Sequence, residues 1–178
     1  MWWLALLGCT DNAAQEAEEL LEATQPVITD LDCQVCDGEC TEQLLEYSDR
    51  HHTAEPIDYA VTPPAGGPHN YCWGEWGAHT TPLPDDNWVH NLEHGGIVYL
   101  YSCPDGCGEE QAALSALTGL GKVIVTEYPE LPTRFAAISW GHRLMVDCFD
   151  EEAFTAFYED HVDQGPETTM AAPPSSCN

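Results

Sequence analysis

Apolar residues at 112, 113, 114, 116, 117 and 120 recur at helical spacing and predict a helix over residues 109–120. Phe154, Phe157, Tyr158 and His161, at i, i+3, i+4 and i+7, predict a closing amphipathic helix over 151–162. Between them, 122–126 reads as a strand and 134–147 as two more, broken near Gly141, while the unbroken apolar run Ile97-Val98-Tyr99-Leu100-Tyr101 reads as a buried strand. Asp85 or Asp86 can cap a short helix that runs through His90 and stops at Gly95. A shorter helical pattern spans 41–47, with Thr41 as its N-cap. This succession of strands and helices predicts an α+β fold, with helices on one face of a mostly antiparallel sheet. Residues 57–84, dense in Pro, Gly and aromatics, predict long ordered loops ahead of it.

The chain divides into an apolar leader-like segment (1–9), an Ala- and Glu-rich tether (10–30), one domain (31–168) and a tail (169–178). With 178 residues, a single domain can bury a core of its own. Charge narrows the partners: 31 Asp and Glu face 4 Lys and Arg, for a formal net charge of −27. Such a surface repels phosphate backbones and concentrates cations, which excludes nucleic acid. Most of these acids are expected to be solvated surface rather than a site.

Nine cysteines in so short a chain point to an oxidising compartment. Leu6-Leu7-Gly8-Cys9 resembles a bacterial lipobox, which makes Cys9 the expected lipidation site of an exported envelope protein held by a lipid anchor alone and sorted to the outer membrane. The basic flank of a signal is missing, so the true start is expected upstream of Met1. Cys33, Cys36, Cys40, Cys72, Cys103, Cys107, Cys148 and Cys177 then remain as an even disulfide set, with Cys103–Cys107 the local pair across a Pro-Asp-Gly turn. Cys33-x-x-Cys36 lacks the β-α-β context of a thioredoxin-like redox motif, and disulfides are the expected use of both thiols.

The chemistry is concentrated in Trp88-Val89-His90-Asn91-Leu92-Glu93-His94-Gly95-Gly96. On a helix, His90 and His94 share a face one turn apart, the spacing at which two imidazoles ligate one ion. Further ligands must come from elsewhere, and His69, at the end of a Pro- and Gly-stiffened loop, is the first candidate. His52, Glu93, His142 and Met145 follow. Imidazoles with a thioether suit copper, and imidazoles with Glu93 or water suit zinc. An exported protein favours copper.

With these segments placed, the chain resembles the bacterial envelope family of domain of unknown function 3105. The resemblance rests on His52 followed by Tyr59-x-x-x-Pro63-Pro64-x-x-Gly67-Pro68-His69, on Val89-His90-x-Leu92-Glu93-His94-Gly95, on Ala137-x-x-Trp140-Gly141, and on Gly165-Pro166-Glu167. It covers about residues 50–168. The family carries no established activity to transfer; the resemblance implies an envelope location and marks His69, His90, Glu93 and His94. His142 after Trp140-Gly141 and the many cysteines depart from the family pattern.

Two other functions compete with metal binding. His-x-x-Glu-His is the inverted zinc-peptidase motif, in which Glu93 would activate a water on zinc held by His90 and His94. Its third ligand would be Glu159, which projects about 140° from Phe154 on an ideal helix, away from the buried face. Alternatively, Tyr71, Trp73, Trp76 and Trp88 form an aromatic surface for a protein partner, of unknown identity, or for a glycan.

Overall fold

The computed structural model describes residues 25–38 and 40–168. Among these, nine strands run in chain order: β1 (Val27–Leu31), β2 (Cys40–Glu46), β3 (His52–Thr53), β4 (His69–Asn70), β5 (Gly77–Ala78), β6 (Ile97–Tyr101), β7 (Val123–Glu127), β8 (Phe135–Ser139) and β9 (His142–Val146). Three α-helices accompany them: α1 (Asp85–Glu93), α2 (Gly108–Ala116) and α3 (Glu151–His161). The main sheet has seven strands in the order β1-β2-β9-β8-β6-β7-β5. Its pairs are antiparallel from β1 to β6, and β7 joins β6 and β5 in parallel. The fold is α+β with a mostly antiparallel sheet.

The helices are divided between the two faces, which corrects the expectation of one helical face. Ile97, Tyr99 and Tyr101 of β6 pack with Leu114 and Leu117 and with Phe154 and Phe157 of α3. Val98 and Leu100, on the opposite side of the same strand, pack with Trp88, Val89 and Leu92 of α1. A strand without polar alternation needs cover on both faces, and β6 is buried at all five positions. Residues 40–46 form strand β2 rather than a helix, because β2 is paired on both sides, by β1 and β9. Ladder pairing there outweighs a weak local helical pattern. Strand β1 begins at Val27, inside the segment read as tether, and forms the exposed edge of the sheet.

Disulfides Cys33–Cys40 and Cys36–Cys148 fasten the 33–40 loop to itself and to the end of β9, and Cys103–Cys107 closes the turn before α2. The two cysteines of the C-x-x-C motif thus belong to different bridges. Cys72 is also disulfide-bonded. Cys9 and Cys177 lie outside the described residues. No helix among the described residues is long and apolar enough to cross a membrane.

Candidate metal centre

Three separate elements deliver three imidazoles to one point on the α1 side of the sheet. The two-residue strands β3 and β4 pair in parallel with His52 opposite His69. Helix α1 supplies His90 from its inner face.

His69 is placed by a loop held through hydrogen bonds from several elements. Arg143 on β9 donates to the carbonyl of Pro63 at 2.9 Å and to Gln43 at 2.7 Å. The Ala65 amide donates to the Tyr47 hydroxyl at 3.0 Å, Gly141 N–H donates to the Ala65 carbonyl at 2.7 Å, and the Tyr59 hydroxyl donates to the Pro68 carbonyl at 2.7 Å. Gly66 is required, since a Cβ there would lie 2.8 Å from the Tyr47 ring. On the other side, α1 clamps the 70–74 segment: Asn87 donates to the Cys72 carbonyl at 2.6 Å, and Asn91 bonds both Gly74 N–H and Gly74 C=O, at 2.7 and 3.0 Å.

The ring nitrogens are sorted by their backbone partners. His69 Nδ1 lies 2.9 Å from the Gly67 carbonyl and His90 Nδ1 lies 2.8 Å from the Asn70 carbonyl. A carbonyl can only accept, so both Nδ1 atoms carry protons and, in the neutral rings, both Nε2 atoms present lone pairs. Those Nε2 atoms face His52 Nε2, at 3.2 Å from His69 and 3.4 Å from His90. Ligand nitrogens about 2.0–2.1 Å from a tetrahedral ion would be separated by roughly 3.3 Å, so this spacing fits three ligands of one ion. Glu93 Oε2 joins the group at 3.0 Å from His69 Nε2 and 3.7 Å from His52 Nε2. His52, His69, His90 and Glu93 each offer a ligand atom within 4.8 Å of all the others, a group that can hold a metal ion.

The surroundings disfavour a proton on His90 and His52 and favour the charged form of the Glu93 carboxylate. Burial, reinforced by the charges of His69, His94 and His52, pushes His90 down to about 4, and burial with the His69 charge lowers His52. Burial alone would raise the Glu93 carboxyl, but a proton held between it and His69 Nε2, where a metal ion would otherwise sit, and the charges of the nearby imidazoles outweigh this and hold it below the ordinary carboxylate value. His69, His90 and Glu93 are buried, whereas the His52 side chain is 32% exposed, so the group opens to solvent on the His52 side. The exposed Tyr71 ring stacks on His52 there. Arg50 Nη1 stands at the same mouth, 3.4 Å from Glu93 Oε1 and 3.4 Å from Glu167 Oε1.

His94 stands outside this group. It is the C-cap of α1, its Nδ1 donates to the Glu167 carbonyl at 2.7 Å, and its ring stacks on His90 and lies tilted against Trp73. Its ligand atom lies instead near those of Glu93 and Glu167. The residues brought together on α1 are therefore His90 and Glu93, at i and i+3. His142 and Met145 are elsewhere. His142 packs against His161, on the α3 side of the sheet, and Met145 is buried in the core under α1. Glu159 is exposed on α3, across the sheet from His90, so the arrangement of an inverted zinc peptidase is not formed. Trp73 and Trp88 are buried and Trp76 packs against the core, leaving Tyr71 as the exposed member of the aromatic set rather than a continuous surface.

Arg50 was not singled out by sequence reasoning; its rarity in so acidic a chain was the available signal. No curated protein and no solved structure matches the chain significantly. A family model described as "Protein of unknown function (DUF3105)" matches residues 51–173, a span that takes in His52, His69, His90, Glu93 and Glu167 and most of the main sheet, and the chain belongs to that family.

Proposed function

We propose that the protein binds a divalent transition-metal ion through the Nε2 atoms of His52, His69 and His90 and a carboxylate oxygen of Glu93. One observation carries this reading. Two imidazole lone pairs, a third imidazole and a carboxylate oxygen converge at 3.0–3.7 Å, while the Nδ1 protons of His69 and His90 are committed to backbone carbonyls. Such a set is short of positive charge, and a cation at its centre satisfies all of it. Three imidazoles and a carboxylate suit zinc; copper(II) binds the same donors more tightly, so supply decides between them. The thioether of Met145, which would favour copper(I), belongs to the core and not to the group. Peptidase chemistry is less well supported, since Glu93 stands among the donors rather than apart from them.

The reading extends to location. An exported protein anchored through Cys9 agrees with the Leu6-Leu7-Gly8-Cys9 sequence and with disulfide use. Fatty-acid labelling lost in Cys9→Ser supports the anchor, and labelling that persists refutes it.

The metal is tested by elemental analysis and X-ray absorption of protein purified from an oxidising compartment without chelators. The expected result is one zinc or copper ion per chain with nitrogen and oxygen scatterers at about 2.0–2.2 Å and no sulfur, lost in His69→Ala. Protein that is metal-free as purified and fails to take up either ion on titration refutes the reading.

A further inference from the structure

The chain has four basic residues, and three are committed away from the mouth of the site. Lys122 bonds the His94 carbonyl and Asp163, Arg134 pairs with Glu110 and lies over the Phe135 ring, and Arg143 is buried against Gln43 and Pro63. Arg50 alone stands at the open side of the histidine group. Its side chain is 51% exposed, and its contacts with Glu93 and Glu167 are both long, at 3.4 Å, and both from Nη1. Nε and Nη2 of its guanidinium make no hydrogen bond among the described residues.

We propose that Arg50 and the ion bound by His52, His69, His90 and Glu93 together form a receptor for a small oxyanion, the carboxylate or phosphate group of a ligand, which takes a fifth position on the ion at the mouth beside His52. This rests on the metal reading above. A guanidinium held one carboxylate's width from a dication opposes metal binding, because Glu93 presents Oε2 to the imidazoles and Oε1 to Arg50. An anion that ligates the ion through one oxygen and accepts from the guanidinium fork through another removes that conflict. The geometry leaves one approach: His69, His90 and Glu93 are buried, and the exposed side is bounded by His52, Tyr71 and Arg50. Elsewhere a surface of net charge −27 repels anions, so binding needs both cations together.

Cobalt(II), a coloured stand-in for zinc, reports this directly. The full protein loaded with one equivalent of cobalt is titrated with acetate, phosphate and neutral imidazole at fixed ionic strength, in the parent, Arg50→Gln and Arg50→Lys forms. Acetate or phosphate should shift the visible spectrum saturably, with affinity about 10-fold or more weaker in Arg50→Gln and partly restored in Arg50→Lys. Imidazole affinity should differ by less than about two-fold among the three, because it calls on the ion alone. The relative affinities of acetate and phosphate identify which oxyanion the fork prefers. Bound cobalt whose spectrum no oxyanion moves, equal oxyanion affinity in parent and Arg50→Gln, or an equal loss for imidazole overturns the proposal while leaving the metal site standing. Cobalt that does not bind at all overturns the metal reading and this inference with it.

Discussion

Replacing His52 and His94 separately by alanine separates the geometric site from the one suggested by the His-x-x-x-His spacing. His52 Nε2 lies 3.2 and 3.4 Å from the other two imidazole nitrogens, whereas His94 Nδ1 is bonded to the Glu167 carbonyl. A four-ligand zinc site is worth roughly 10–16 kcal/mol at neutral pH, so an even share is about 2.5–4 kcal/mol per ligand. His52→Ala should therefore weaken zinc binding by about 10²- to 10³-fold. His94→Ala removes a hydrogen bond and a ring stack, costing about 1–2 kcal/mol of stability, but leaves all four donors in place. Its zinc affinity should stay within about three-fold of the parent. Competition with a chromophoric chelator measures both constants, and circular dichroism verifies that each variant is folded. If His94→Ala loses as much affinity as His52→Ala, or if His52→Ala binds as the parent does, the assignment of ligands is wrong.

Because His90 is held down at about 4 and His52 is also lowered, protons should compete late for the site. Zinc affinity should decline gradually from about pH 6.5, the ordinary imidazole value, towards about 4; titrations that find it already abolished at the upper end of that window contradict the electrostatics. His161, packed on His142, is pushed down to about 4 by burial and the His142 charge. Below about pH 6.5 the unfolded chain takes up a proton that the native state refuses, so stability should be complete above that value and fall as the pH drops to about 4. Partial exposure limits the loss to about 1–2 kcal/mol, and His161→Phe should flatten that part of the pH–stability curve measured by urea unfolding. A Cβ at Gly165 would lie 2.4 Å from the Glu93 carbonyl and 2.5 Å from Gly95 N, so Gly165→Ala should cost roughly 1–3 kcal/mol in the same assay, and an unchanged midpoint would mean the 163–167 segment does not press on α1. Replacing Cys36 and Cys148 by serine should cost about 2–5 kcal/mol; a smaller loss would place the stability of the 33–40 loop in its other contacts.

Strands β6 to β9 and helices α2 and α3 were legible from their burial, the helices by apolar residues recurring at helical spacing and the strands as short apolar runs covered on both faces. The predicted strand at 122–126 and helix at 151–162 fall within a residue or so of β7 and α3. Strand β2 was not legible, since what holds it is its pairing with β1, which lies in the segment read as tether, and with β9, about a hundred residues away in the chain. Assigning all helices to one face overlooked the solid apolar run of β6, which already asked for cover on both sides. His52 and His69 are brought side by side by two strands of two residues each, too short to leave any period.

On α1 the spacing of residues narrowed the site without deciding it. A helix places both i+3 and i+4 beside position i, so His90 has Glu93 and His94 as equal neighbours in the sequence. The choice is made at the helix end. His94 occupies the C-cap, where the chain turns at Gly95 with φ +77°, and the 163–167 segment lies across that turn: Asp163 N–H donates to the Gly95 carbonyl, Glu167 N–H donates to the Glu93 carbonyl, and the Glu167 carbonyl accepts from His94 Nδ1–H. The imidazole is thereby drawn to the segment from the C-terminal side of the domain, and Glu93, one residue earlier and the last residue of the helix, is left to face His69. A metal site built on a helix terminus is thus specified by whatever packs over that terminus as much as by the ligands' own spacing, and here that is a segment some seventy residues away in the chain.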